Sequence, residues 1–98
     1  MGEIVKTLND CQLSNDTILV FTSDHGDLLG SHGEVLKQRP WDESILVPML
    51  VRWPAGLRSG QKLAAPLGTP DIMPTLLGLC SLAVPSTVEG DNRSAWLR

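Results

Sequence analysis

The side chains able to do chemistry are gathered in one stretch, TILVFTSDHGDLLGSHGEVLK, residues 17–37. Asp24 and His25 stand next to each other and are followed by Gly26; His32 lies between Ser31 and Gly33, and Lys37 closes the stretch. A carboxylate offers hard oxygen ligands and a neutral imidazole offers a nitrogen, a mixed set compatible with a divalent cation. Two ligands are too few for a complete site. Neighbouring side chains on a regular strand point to opposite faces, so Asp24 and His25 can meet one ion only where the backbone leaves the strand. Gly26 is expected to allow that departure by tolerating a positive φ. The alternative reading of the same residues is ordinary turn chemistry, in which Asp and a nearby Gly make a tight bend. Taken singly, Lys37 is a solvated surface lysine and His32 a loop residue.

The elements around this stretch place it at the end of a strand. Ile4, Leu8 and Cys11 recur at helical spacing, with Val5 beside them and Glu3, Lys6 and Asn9 polar, which predicts a helix ending near Leu13. After the SNDT turn, residues 17–22 form an apolar run suited to the middle of a parallel sheet covered on both faces. A second strand is expected over residues 47–53, closed by Pro54 and a turn at Gly56. Thr69 as N-cap, Pro70 at the first helical position, and Ile72, Leu76 and Leu79 on one face predict a further helix, with Gly78 weakening its last turn. Beyond Pro85 the chain is polar and turn-rich, and Ser94 is positioned to cap a last helix. Helix, turn and buried strand make half of a βαβ unit, and the carboxyl end of such a strand is where open α/β sheets bind ligands.

Composition narrows the function. A chain of 98 residues allows one small domain, which buries only about 60–65% of its unfolded surface. With 42% hydrophobic and 19% charged residues it has the composition of a globular protein. The longest apolar runs fall far short of the roughly 20 residues of a membrane span, so no membrane partner is expected. The net charge is −3 and the eight basic residues are scattered, so no nucleic acid partner is expected either. Cys11 and Cys80 have no C-x-x-C partner and are expected to be core thiols. MGEIVKTLNDC contains two acids and no apolar run of the kind a secretory leader carries.

The segment FTSDHGDLLGSHGEVLKQRPWDESILVPMLVRWPAG, continued by TPDIMPTLLGL and a later VEG, resembles the sulfatase family of the alkaline phosphatase superfamily. Asp-His-Gly, Gly-x-His-Gly, the lysine, the Asp-Glu-Ser turn, the Val-Pro strand and the Asp-Ile-x-Pro-Thr helix follow one another in the family's order. The resemblance implies an alkaline-phosphatase-like α/β/α sandwich with a mainly parallel sheet, of which residues 1–98 form the C-terminal portion of the catalytic domain. It implies that Asp24 is a metal-ligand acid and that His25 fills a ligand position held in relatives by Asn or His. The metal so implied is a divalent cation, usually calcium. Lys37 matches the lysine that binds a sulfate oxygen beside the nucleophile, where a compact ammonium neutralises a compact tetrahedral anion. His32 matches an active-site neighbour whose role varies among relatives. Asp27 stands near enough in sequence to approach the metal, but the resemblance assigns it no such place. Relatives are often periplasmic, secreted or lysosomal.

Sulfatases attack with a formylglycine made from the Cys or Ser of C/S-x-P-x-R, and they complete the metal shell with acids near the first strand. Cys11 sits in CQLSN and Cys80 in CSLAV, and neither has the required Pro and Arg. The expectation is therefore of a fragment or truncated reading frame, inactive by itself, from an enzyme that hydrolyses sulfate esters. A phosphonate or phosphate ester hydrolase of the same superfamily, or a non-catalytic remnant, are the alternatives. An uncovered strand edge is expected to favour self-association. Trp41 and Trp53 are expected to cover the sheet edge or line the cleft, Arg39 and Arg52 to be solvated, and Asp42, Glu43 and Ser44 to serve as turn and cap residues.

Overall fold

The computed structural model describes all 98 residues, which form two compact units, Met1–Trp53 and Pro54–Arg98. In the first unit, α1 (Gly2–Asp10) presents the expected apolar stripe, although none of its residues is buried. Its end is set by a Schellman motif rather than by a longer helix: the Leu13 amide donates to the Leu8 carbonyl and the Gln12 amide to that of Asn9, with Gln12 at a φ of 59°. This is why the helical pattern reaches Leu13 while the helix itself stops at Asp10.

The strands are shorter than their apolar runs. β1 (Leu19–Phe21) pairs antiparallel with β2 (Leu50–Arg52), with Leu19 opposite Arg52, Val20 opposite Val51 and Phe21 opposite Leu50. The apolar run through β1 suggested a parallel neighbour, and the partner present within this chain is antiparallel instead. A continuous apolar run reports burial on two faces, and burial does not encode the direction of the neighbouring strand. Phe21 and Leu50 remain exposed. The Trp53 indole N–H donates to the Asn15 carbonyl across 2.7 Å, tying the end of β2 to the turn before β1. A short helix, α2 (Asp42–Ile45), precedes β2 and buries Ser44. Leu28 is the buried apolar residue of this unit.

In the second unit, α3 (Thr69–Leu79) packs with α4 (Ser94–Leu97). The N-cap is Gly68 and not Thr69, so Pro70 stands second in the helix, and the Asp71 carboxylate reaches back to the Gly68 amide. Pro74, in the interior, lacks the amide that would donate to the Pro70 carbonyl, and Gly90 packs against that same carbonyl, where a Cβ would overlap it. Thr75, fully buried, accepts a 2.9 Å hydrogen bond from the Arg93 amide, and the Asp71 carboxylate accepts one of 2.8 Å from the Asp91 amide. Gly78 does more than weaken a turn: the Asn92 side chain occupies the space its Cβ would need. The polar tail after Pro85 is thus a bracket around α3, closed by the Arg93 guanidinium over the Trp96 ring at 4.5 Å. α3 ends as α1 does, in a Schellman motif, with Ser81 at a φ of 58° and the Leu82 amide donating to Leu77. Cys80 sits at that exposed end and Cys11 at the end of α1, so both thiols are exposed rather than in the core.

Candidate functional site

β1 delivers the chain to Ser23 and Asp24, and local hydrogen bonds then turn it. The Ser23 hydroxyl donates to the His25 carbonyl at 2.7 Å, and the His25 amide donates to Asp24 Oδ1 at 3.0 Å. Gly26 follows, but its φ lies outside the positive region, so the expected reason for a glycine here is corrected. A Cβ at this position would overlap the Glu43 carbonyl oxygen, and the Gly26 amide donates to the Ser44 carbonyl at 2.8 Å. Glycine is required because α2 comes within backbone contact of the turn.

His25 Nδ1 lies 2.7 Å from the Gly26 carbonyl oxygen. A carbonyl can only accept, so Nδ1 carries the proton and donates it. In the neutral ring, Nε2 is then left with its lone pair, 3.4 Å from Asp24 Oδ2. Two acceptors so placed repel unless a positive charge stands between them, and either a proton or a metal ion can supply it. The Asp24 side chain is 84% exposed. Desolvation, the largest single influence on its carboxyl, works upward. The His25 charge, the amides of Asp24 and His25, and the Lys37 ammonium together outweigh it and hold the group below its ordinary value. Asp24 and His25 are thus in contact, while the Lys37 ammonium bears on the Asp24 carboxyl only through its charge and makes no ion pair or hydrogen bond with either residue. No cluster of three or more His, Cys, Asp or Glu side chains able to hold a metal forms in the chain. Asp27 is engaged elsewhere, with Oδ1 accepting from the Leu29 amide at 2.8 Å.

His32 takes a different position. The loop that carries it is a narrow hairpin in which Leu28 donates to the Leu36 carbonyl at 2.8 Å and Gly30 to that of Glu34 at 3.0 Å. At its tip His32 has φ 57° and ψ 18°. Its ring stacks on Trp41, with centroids 4.3 Å apart and planes 14° from parallel, and Nε2 faces Glu43 Oε1 at 3.5 Å. Trp41, expected to cover the sheet edge or line the cleft, and Glu43, expected to serve in a turn or cap, are thus neighbours of a candidate site residue. No periodicity links positions nine and eleven residues apart across a loop, so sequence alone gave no signal for these contacts. Arg39 is an exposed partner of Glu34 at 3.1 Å. Arg52 departs from its expectation of a solvated charge, since its Nη1 is buried without a hydrogen-bond partner.

The solved structures that resemble this chain define its class as an α/β segment of an alkaline-phosphatase-like fold. One, in complex with its substrate D-glucosamine-2-N,6-O-disulfate, is 30% identical and superposes with a TM-score of 0.89 over 98% of this chain and 19% of its own. Another, a phosphonate monoester hydrolase from Silicibacter pomeroyi, is 29% identical with a TM-score of 0.90 over 98% of this chain and 19% of its own. The sequence model of the family described as Sulfatase matches residues 1–82, and the chain belongs to the sulfatase family. An ulvan-active sulfatase of Formosa agariphila is 39% identical over 101 residues, covering 100% of this chain and 20% of that protein. The chain thus spans about a fifth of the length of the curated relatives it matches.

Proposed function

We propose that this chain supplies one wall of a sulfate-ester hydrolase site, in which Asp24 and His25 are metal ligands and Lys37 binds a sulfate oxygen. The observation that carries the reading is the facing pair of Asp24 Oδ2 and His25 Nε2, with Nδ1 already committed to the Gly26 carbonyl. A backbone acceptor on the far nitrogen fixes the tautomer and aims the other lone pair, as in metal-ligating histidines generally. A carboxylate oxygen and an imidazole nitrogen fit a divalent cation, and calcium, which the family resemblance implies, takes 6–8 ligands, so these two residues are part of a larger shell. When bound, the cation offsets negative charge on the ester's sulfate group. Lys37 adds a second positive charge on the Asp24 side, and its ammonium can follow an oxygen as charge develops there. His32 presents an imidazole at the tip of the neighbouring loop.

None of the 98 residues lies in a C/S-x-P-x-R sequence, so the nucleophile of sulfatase chemistry is not supplied by this segment. The test is a hybrid in which the matching fifth of the ulvan-active sulfatase is replaced by this chain. The hybrid should hydrolyse a chromogenic aryl sulfate, whereas the 98-residue chain alone should not. Asp24→Ala should abolish turnover at low calcium and recover part of it as calcium is raised. Calcium-independent turnover by Asp24→Ala would remove the ligand assignment. The phosphonate monoester hydrolase neighbour supports a second reading with the same wall and a different ester, which a phosphonate substrate in the same assay distinguishes. The two-stranded sheet, with Phe21 and Leu50 exposed, also supports self-association of the isolated chain, to be checked by light scattering.

A further inference from the structure

We propose that Trp41 and Glu43 are positioning residues for His32, and that α2 fixes the imidazole and the Asp24-His25 turn together. The inference rests on the reading of His32 as a site residue. His32 occupies a backbone conformation uncommon for a side-chain-bearing residue, one that persists where the surroundings over-determine it. The turn's own hydrogen bonds, from Gly33 to the Gly30 carbonyl and from Glu34 to that of Ser31, hold this backbone, and two side chains orient the ring it carries. Trp41 lies flat against the ring and fixes its plane, while the Glu43 carboxylate faces Nε2 and fixes its rotation about the ring normal. Nδ1 is left as the nitrogen that can address a substrate.

Glu43 is itself held from behind. Its carbonyl lies against Gly26, and the next carbonyl, that of Ser44, accepts the Gly26 amide. Ser44 is 3% exposed, which anchors α2 in the unit. The Trp41 carbonyl accepts from the Ser44 and Ile45 amides, so Trp41 and Glu43 are set by one helical turn. A displacement of α2 would therefore move the imidazole and the metal-ligand turn at once. Contacts made only to pack a loop would not require an acid aimed at a ring nitrogen.

The kinetic test uses the hybrid enzyme. Glu43→Gln and Trp41→Leu should each lower kcat by about tenfold, within the range seen when a partner orienting a site residue is lost, with KM changed less than about twofold. Trp41→Phe keeps a ring face and should retain most of the activity. The decisive comparison is the double variant Glu43→Gln/His32→Ala, which should be no slower than His32→Ala alone, because a residue acting through another adds nothing once that other is gone. In the 98-residue chain, NMR should show the His32 ring protons shifted upfield by the Trp41 ring, returning downfield in Trp41→Leu and staying put in Trp53→Leu. Additive losses in the double variant, or wild-type kcat in Glu43→Gln while His32→Ala is slow, would overturn the positioning role alone. A wild-type rate in His32→Ala would overturn it together with the site assignment of His32.

Discussion

Asp71 and Asp24 are both carboxylates held below their ordinary pKa, and they are held there for different reasons. The Asp71 side chain is 17% exposed; the Asp91 amide is the first cause of its shift, with the Gly68 amide and Arg93 adding to it against desolvation. Its lone pairs are used in closing the bracket around α3. Asp24 is 84% exposed; against desolvation, the largest influence on it, the His25 charge lowers its carboxyl first, then two amides of its own turn, and the Lys37 charge adds the least. One oxygen takes an amide and the other faces an imidazole nitrogen. The second unit uses its polar groups to join backbone to backbone, while the first leaves an acid and an imidazole facing each other at an exposed turn. A polar group already satisfied by the fold has little left for a ligand, and on the proposed reading that is the difference between Asp71 and Asp24.

The largest expected effect sharpens this contrast. In the hybrid enzyme Lys37→Ala should lower kcat/KM by roughly 10²–10³, the scale of losing one preorganised electrostatic donor. The loss should appear in kcat, should not respond to added calcium, and should be only partly recovered by Lys37→Arg, whose planar guanidinium cannot occupy the same point. Kinetics unchanged within error would place Lys37 with the solvated lysines and dissolve the difference between the two regions.

Glycine substitutions probe the two regions at an intermediate scale. Gly26→Ala forces a Cβ onto the Glu43 carbonyl, a backbone group that cannot swing away, and should destabilise the fold by about 1–3 kcal/mol in chemical denaturation. Gly78→Ala meets only the Asn92 side chain, which can rotate, and should cost less. Equal losses at the two positions would mean that α2 yields to the turn instead of fixing it.

The smallest effect is a pH dependence. The Asp71 carboxyl is held low in the folded chain, so the stabilisation it contributes is fully present above its ordinary value. That contribution is lost as pH falls through the folded value. Asp71→Asn should therefore flatten the acid limb of stability against pH and leave the slope above neutrality unchanged, as followed by thermal unfolding across acid pH. An acid limb as steep as that of the parent chain would mean that Asp71 does not anchor the bracket.

Much of this was legible from residue types alone. The Asp-His-Gly order after an apolar run and the apolar spacing of α1 and α3 are local patterns, and local geometry carries them into the structure, with α1 ending three residues before the expected Leu13. Helix ends moved because carbonyl satisfaction in the Schellman motifs, and not apolar spacing, decides where α1 and α3 stop. What sequence could not give was any relation made across a loop. The antiparallel partner of β1, the carbonyl packed against Gly26, the Trp41 and Glu43 contacts of His32 and the polar bracket around α3 join residues far apart in the chain. Sequence fixes which groups can donate, accept or carry charge. Only the fold decides which partners reach them, because that depends on where the backbone returns.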